Sequence, residues 1–255
     1  MKKHSLLALC LVLALAFAAC GGTGAGSSPA SQPQQADAPS AAASEPSEPA
    51  AQEETAYEIT YSSARAYTNS IGTTWMQAIA EIENTGSADL YLSSGAYDVE
   101  DAGGGLVKSG SMVSTFPDVI APGEKGYLYE ETTLDEPVEG ELTLLPRPSV
   151  DKAKVECIRY ALSDLELSTG DFGDLKARGR VENTSSEASS MTYIVLVLKN
   201  AEGQPIGLMF TILSEELAAG DKIGFEMSAF ALPDDVTEET IASYEAFAYP
   251  MQMQF

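Results

Sequence analysis

The side chains that most often carry chemistry are scarce in this 255-residue chain. Its one histidine, His4, stands at the very start, and its three cysteines are Cys10, Cys20 and Cys157. Imidazole is the usual general base and the commonest transition-metal ligand, so both chemistries lose their ordinary carrier if the N-terminus is removed. Cys157, in Val155-Glu-Cys-Ile-Arg-Tyr160, would be a nucleophile only beside a group that lowers its pKa; the expectation is a small buried hydrophobe on a strand. Carboxylates are the abundant groups, with 38 Asp and Glu against 14 Lys and Arg and a formal charge of −24. Such a balance points away from nucleic acid and anionic surfaces as partners. Asp98-Val-Glu-Asp-Ala-Gly103 and Asp171-Phe-Gly-Asp174 group carboxylates in loops, which is calcium chemistry. Neither completes a calcium-binding loop, because Ala102 and Ser109 fall where oxygen ligands are required. The acidity is therefore read as a solvated surface, with no metal site. Two carboxylates suffice for glycoside cleavage, yet no spacing singles out a pair.

The elements that position these groups come as a repeat. Ala80-Glu-Ile-Glu-Asn-Thr-Gly86 returns as Gly179-Arg-Val-Glu-Asn-Thr-Ser185, 99 residues later. Asp101-Ala-Gly-Gly is matched by Asn200-Ala-Glu-Gly at the same offset, and Ile120-Ala-Pro-Gly-Glu-Lys125 by Leu217-Ala-Ala-Gly-Asp-Lys222 at 97. A drift of two residues is one short loop deletion, so the chain holds two copies of one domain. In the first copy the alternate positions Met76, Ala78, Ala80 and Ile82 are apolar, and in the second the matching Leu175, Ala177, Gly179 and Val181 are apolar or small. Period two means a strand with one buried face, and the small residues on that face suit the close approach of a second sheet. Short strands with turn signals every 8 to 12 residues predict antiparallel β-sandwiches over residues 56–146 and 153–255. Pro146-Arg-Pro148-Ser reads as a stiff connection between them. The last strands are expected at Glu141 to Leu145 and Tyr244 to Tyr249, and one helical stretch at Asp234 to Ser243, capped by Asp235.

The two ends of the chain differ in kind. Lys2 and Lys3 precede an apolar run, Leu6 to Phe17, too short to cross a membrane and stay, so residues 1–19 read as a secretory signal. Ala18-Ala19-Cys20 resembles the lipobox of bacterial lipoproteins, although Phe17 stands where Leu is usual. The resemblance implies that Cys20 is diacylated and anchors the mature protein outside the cytoplasm on the bacterial cell membrane. With Cys10 removed and Cys20 acylated, Cys157 has no partner for an intramolecular disulfide. Residues 20–55 carry no aromatic or large aliphatic side chain beyond Cys20. They read as a disordered tether, on the order of 30 Å in span.

A strand ending in Glu-Asn-Thr, a hairpin at Asn200-Ala-Glu-Gly203 and a Leu-x-x-Gly-Asp-Lys turn resemble the FxLYD-type immunoglobulin-like domains of bacterial surface lipoproteins. Val195-Leu-Val-Leu-Lys199 stands at the namesake motif, with Ala96-Tyr-Asp-Val-Glu100 a weaker counterpart. That family implies immunoglobulin-like sandwiches and no enzymatic activity. Ser149-Val-Asp-Lys152 matches the serine-x-x-lysine signature of penicillin-interacting enzymes and Lys108-Ser-Gly110 their later motif, but the order is reversed and the helical domain is missing. No catalytic residue and no cofactor are expected. Asn183-Thr-Ser185 is formally a glycosylation sequon, set in a β-turn.

The outer faces of the two copies differ. If Met76 to Ile82 face inward on alternate positions, Trp75, Gln77, Ile79 and Glu81 face out, against Asp174, Lys176, Arg178 and Arg180 in the second copy. Leu128 matches Phe225 and points inward, leaving Tyr127 and Tyr129 outward near Trp75. Trp75, Ile79, Tyr127 and Tyr129 thus form the candidate interaction patch. It serves either a partner or the second domain. The expected role is binding a protein or envelope polymer, or organising the envelope. The alternatives are the substrate-binding lipoprotein of a transporter, which would need two α/β lobes, and a calcium-dependent surface module.

Overall fold

The computed structural model describes residues 54–69, 71–170, 173–229 and 232–252; Cys20, the signal segment and almost all of the tether lie outside them. Residues 50–255 form one compact unit. The described residues contain no helix and fourteen strands. These are β1 (Tyr57–Thr68), β2 (Thr74–Asn84), β3 (Leu90–Glu100), β4 (Leu106–Met112), β5 (Ser114–Phe116), β6 (Val119–Ile120), β7 (Lys125–Thr133) and β8 (Thr143–Lys152). The second half follows with β9 (Ala161–Thr169), β10 (Leu175–Glu182), β11 (Thr192–Lys199), β12 (Pro205–Leu213), β13 (Lys222–Ala229) and β14 (Ser243–Pro250). Every pairing among them is antiparallel.

The strands make four sheets, ordered β1-β2-β7-β5, β4-β3-β6 with β8 added on β3, β13-β10-β9, and β12-β11-β14. Met76, Ala78, Ala80 and Ile82 of β2 pack with Leu90, Leu92 and Val99 of β3 in one core. Leu175, Ala177 and Val181 of β10 pack with Ile194, Leu196 and Leu198 of β11 in a second. The alternate positions thus face a core in both copies, but the single buried face expected of the repeated strand holds only for β10, since β2 is buried on both faces. A third cluster joins Ile79, Phe116, Tyr127 and Tyr129 of the first half to Val195, Val197, Leu208 and Tyr249 of the second. The sheets thus stack in four layers, with the β2 and β11 sheets innermost and covered on both faces. Burying one side chain of this size is worth about 1.5–3 kcal/mol, so the joint is held as firmly as a small core.

Repeated turns recur as repeated geometry. The Asp101 Oδ1 accepts the Gly103 and Gly105 N–H groups at 2.8 Å each; the Asn200 Oδ1 accepts those of Glu202 and Gln204 at 3.1 and 2.8 Å. Both loops close through a glycine at φ +78°, Gly104 and Gly203, a left-handed conformation that costs glycine little.

Two expected elements differ. Pro146 to Ser149 is no connector: it lies within β8, which pairs with β3 from Leu90↔Lys152 to Glu100↔Thr143. β8 borders only β3, and prolines two positions apart leave both missing N–H groups on the strand's free side, where an edge strand tolerates them. The first sandwich accordingly runs to Lys152. The stretch expected as a helix, Asp234 to Ser243, holds turns and no helix, and Ser243 already begins β14. The Thr240 hydroxyl accepts the Thr237 N–H at 2.9 Å and donates to the Asp235 carbonyl at 2.7 Å, a local bonding that competes with helix. Asp235 caps nothing and pairs instead with Arg65 at 3.1 Å.

Candidate functional site

Of the four patch residues, three are not on the surface. Ile79, Tyr127 and Tyr129 are buried in the joint between the sandwiches, so of the two expected roles the face takes the packing on the second domain. Their outward direction from the first sandwich was right; the second sandwich covers them. Trp75, half-buried, lies at the rim. In the second copy the matching face is solvated at Arg178, paired to Glu166 at 2.7 Å, and at Arg180, 3.5 Å from Asp164, while Asp174 is buried.

A polar network crosses the same joint. Glu81, 4% exposed, accepts from Lys125 Nζ at 2.5 Å, Thr60 Oγ1 at 2.7 Å and Tyr127 OH at 3.0 Å. Lys199 of the second sandwich lies 3.7 Å from Glu81 and 2.7 Å from Glu245. Desolvation is the strongest single influence on the Glu81 carboxyl and pushes it up, but the hydrogen bonds from Lys125, Thr60 and Tyr127 together hold it below the usual range. The bond to Glu81 raises Lys125 in turn. Tyr127 also stands 2.7 Å from Glu245, so one phenolic proton serves two carboxylates; burial and those charges push the phenol far above its ordinary value.

A second network flanks it. Tyr67 and Tyr129 each donate to Glu131 at 3.1 Å, and desolvation raises that carboxyl despite both bonds. Arg65 of β1 bonds Gln77 at 3.3 Å and reaches the Ile206 carbonyl and the Asp235 carboxylate of the second sandwich. Alternate residues of β1 and β2 thus tie the two halves together by charge as well as by apolar contact.

The joint opens on two sides. One opening, about 680 Å³, is lined from the first sandwich by Tyr67 and Trp75 and from the second by Thr169, Asp174 and Glu238. The other, about 460 Å³, is aromatic, with Phe116 4.9 Å from Phe210 and Tyr193 stacked 5.4 Å from Tyr249.

The remaining sequence motifs are occupied structurally. Asp98 pairs with Arg147 at 2.7 Å, and Asp101 caps its own loop. Asp171 lies outside the described residues. Among those residues no three His, Cys, Asp or Glu side chains group as an ion would need. Ser149 and Lys152 sit on a strand, where positions three apart face opposite sides, so the helical geometry of that motif does not form. The Cys157 Sγ lies 3.7 Å from both the Val119 carbonyl and Glu124, and burial pushes its thiol up to about 11. Asn183 is fully buried and its amide nitrogen donates to two carbonyls, leaving none for a glycan.

The sequence carried one overlooked sign of the joint. Tyr193-Ile-Val-Leu-Val-Leu198 is apolar without alternation, the mark of a strand covered on both faces. The fold and the site define an all-β protein of stacked antiparallel sheets with clefts at its joint. Neither the scan against protein-family models nor the search of curated proteins finds a match to the chain.

Proposed function

We propose that this chain is a non-enzymatic lipoprotein, anchored through Cys20 outside the cytoplasm, which presents two immunoglobulin-like sandwiches as one rigid binding head. The observation that carries the reading is the joint. Its apolar cluster and the Glu81–Lys199–Glu245 network fix the relative position of the two sandwiches, so the clefts between them keep a constant shape. A head of fixed shape suits recognition, since little ordering entropy is spent on binding. The resemblance of Ala18-Ala19-Cys20 to a lipobox and the solvated composition of residues 20–55 supply the anchor and the reach. The transporter alternative needs two α/β lobes, and the described residues hold no helix.

Labelled palmitate fed to intact cells, combined with protease shaving, tests the reading. Label on the wild type, none on Cys20→Ala, and release of the head from intact cells are the expected results. Label persisting on Cys20→Ala, or a head that resists shaving, would overturn it.

A further inference from the structure

Strand β12 (Pro205–Leu213) ends its sheet, paired to β11 alone. Which of its backbone groups face outward follows from β11. The Met191 and Lys199 carbonyls accept the Met251 and Ala242 N–H groups, so the odd positions of β11 turn their backbone toward β14 and the even positions toward β12. Ile194 lies opposite Thr211 and Leu196 opposite Met209, which commits the backbone of Met209 and Thr211 to β11. Leu208, Phe210 and Ile212 therefore project theirs from the free edge. The Ile206 carbonyl agrees with this direction, since it accepts from Arg65 of the first sandwich.

A free edge is a template for another strand, and folds blunt it with charges, prolines or shortness. The other strands at sheet ends follow that rule. β5 and β6 have three and two residues, β8 carries Pro146 and Pro148, and β1, β4, β9, β13 and β14 each hold at least one Lys, Asp or Glu. β12 holds no charged residue, and its one proline, Pro205, stands at its first position.

The side chains of the same edge continue the joint. Leu208 is buried in it; Phe210, next on that face, stands 4.9 Å from Phe116 yet is 43% exposed. Val113, Ile212 and Met251 stand exposed around the same cleft of about 460 Å³. With Phe210 they make four of the ten large apolar side chains exposed among the described residues. The apolar face of the joint thus runs past the first sandwich onto an unpaired strand. Asp118 is the one charged group among the described lining residues.

We propose that β12 takes an extended peptide segment of another protein as an added strand, uncharged or basic, with every second side chain apolar and set into this cleft. The inference rests on the binding reading above and names its partner class. Main-chain bonds to Phe210 and Ile212 supply affinity, and the cleft selects the alternate side chains. The chain's own tether, residues 20–55, has no large aliphatic or aromatic side chain to fill the cleft. A second copy would bring a formal charge of −24 against an equal one.

The probe is a short fluorescein-labelled peptide of alternating valine and threonine with a lysine at each end, titrated with the full-length lipoprotein in neutral detergent and followed by anisotropy. Saturable binding is expected. An added strand pairs along one edge only, so N-methylation of the valine amides and of the threonine amides should differ in effect by at least about tenfold. Ile212→Pro deletes one outward N–H without removing a bond to β11, and should weaken binding about fivefold beyond Ile212→Ala. Glu166→Gln, on the outer face of the second sandwich, should change nothing. The methylated peptides are read on the unaltered protein, so the test does not hang on the folding of a variant. No saturable binding, an equal effect of the two methylations, or a dimer in sedimentation that the peptide fails to dissociate would each overturn the proposal. The palmitate and shaving experiment involves no peptide, so the anchored reading and this one fail separately.

Discussion

Asn84 and Asn183, 99 positions apart and both fully buried, make the same hydrogen bonds. The Asn84 Nδ2 donates to the carbonyls of Ala88 at 2.8 Å and Ile120 at 2.9 Å; that of Asn183 donates to Glu187 at 2.8 Å and Leu217 at 2.9 Å. Each Oδ1 accepts an N–H two residues on, from Gly86 or Ser185, at 3.0 Å. The amide thus ties the strand end, the loop after it and the turn before β7 or β13 into one knot, in both sandwiches. Substituting either by Ala removes two donors and one acceptor from a buried site, although the Gly86 N–H keeps the Ala56 carbonyl, the Leu217 carbonyl keeps the Ser189 N–H and the Glu187 carbonyl keeps the Ser185 hydroxyl. Asn84→Ala and Asn183→Ala are each expected to cost about 2–4 kcal/mol, read as a lower urea midpoint with unchanged slope. A cost below about 1 kcal/mol would show that water replaces the amide.

What the sequence made legible follows from what repeats locally. The buried face of β2 and β10, the turn asparagines and the hairpin at Asn200 were all readable, because period-two alternation and turn chemistry depend only on neighbours. The covering of Ile79, Tyr127 and Tyr129 was not readable from their own strands, since the partner surface lies more than 60 residues away on β11 and β14. Its trace was on the partner, in the unbroken apolar run of β11. Pro146 and Pro148 misled for a related reason: a proline pair reads as a break unless the strand is known to be an edge.

The apolar part of the joint can be tested apart from the folds it connects. Ile79→Asp places a charge against Val195 and Val197 without touching either sandwich core. An unpaired charge buried there costs several kcal/mol, which weakens the joint relative to the two sandwich cores. Calorimetry should then resolve two transitions where the parent gives one, and acrylamide should quench Trp75 more readily. A single transition near the parent temperature would mean that the two sandwiches do not rely on this cluster.

The polar part predicts an acid limb. Glu81 titrates in the folded protein below its unfolded value of about 4.3, so its stabilisation is complete above that pH and is lost as pH falls through the lower folded value. Glu131 acts in the opposite sense: its raised carboxyl favours the folded state at low pH, and that contribution is lost as pH rises through the folded value. Glu81→Gln should therefore flatten the decline in stability below about pH 4 while costing about 2–4 kcal/mol at pH 7, because Lys125 and Lys199 lose their buried partner. Glu131→Gln should leave the acid limb in place. Urea midpoints measured from pH 7 to pH 3 on the three proteins decide it, and an acid limb unchanged by Glu81→Gln would remove Glu81 as its source.

Cys157 gives a reporter for the segment that links the sandwiches. Burial is the main cause that pushes its thiol up to about 11; the nearby Arg159 pulls it down, and Glu124 and Asp89 oppose that pull. Arg159 is engaged by Glu124 at 2.7 Å and the Val119 carbonyl at 2.6 Å, which fixes residues 157–159 against the first sandwich. Only the thiolate alkylates, and an unperturbed thiol titrates near 8.5. At pH 8 the native protein should react with iodoacetamide on the order of 10²-fold more slowly than the urea-unfolded chain. The raised value also implies a stabilisation present below about pH 8.5 and lost as pH climbs towards 11. Arg159→Ala should slow the native reaction further by removing the one positive charge beside the sulfur, provided the segment stays docked. If Arg159→Ala instead accelerates alkylation to the unfolded rate, the guanidinium's main task is to hold the linker on Val119 and Glu124, and exposure rather than charge controls the thiol.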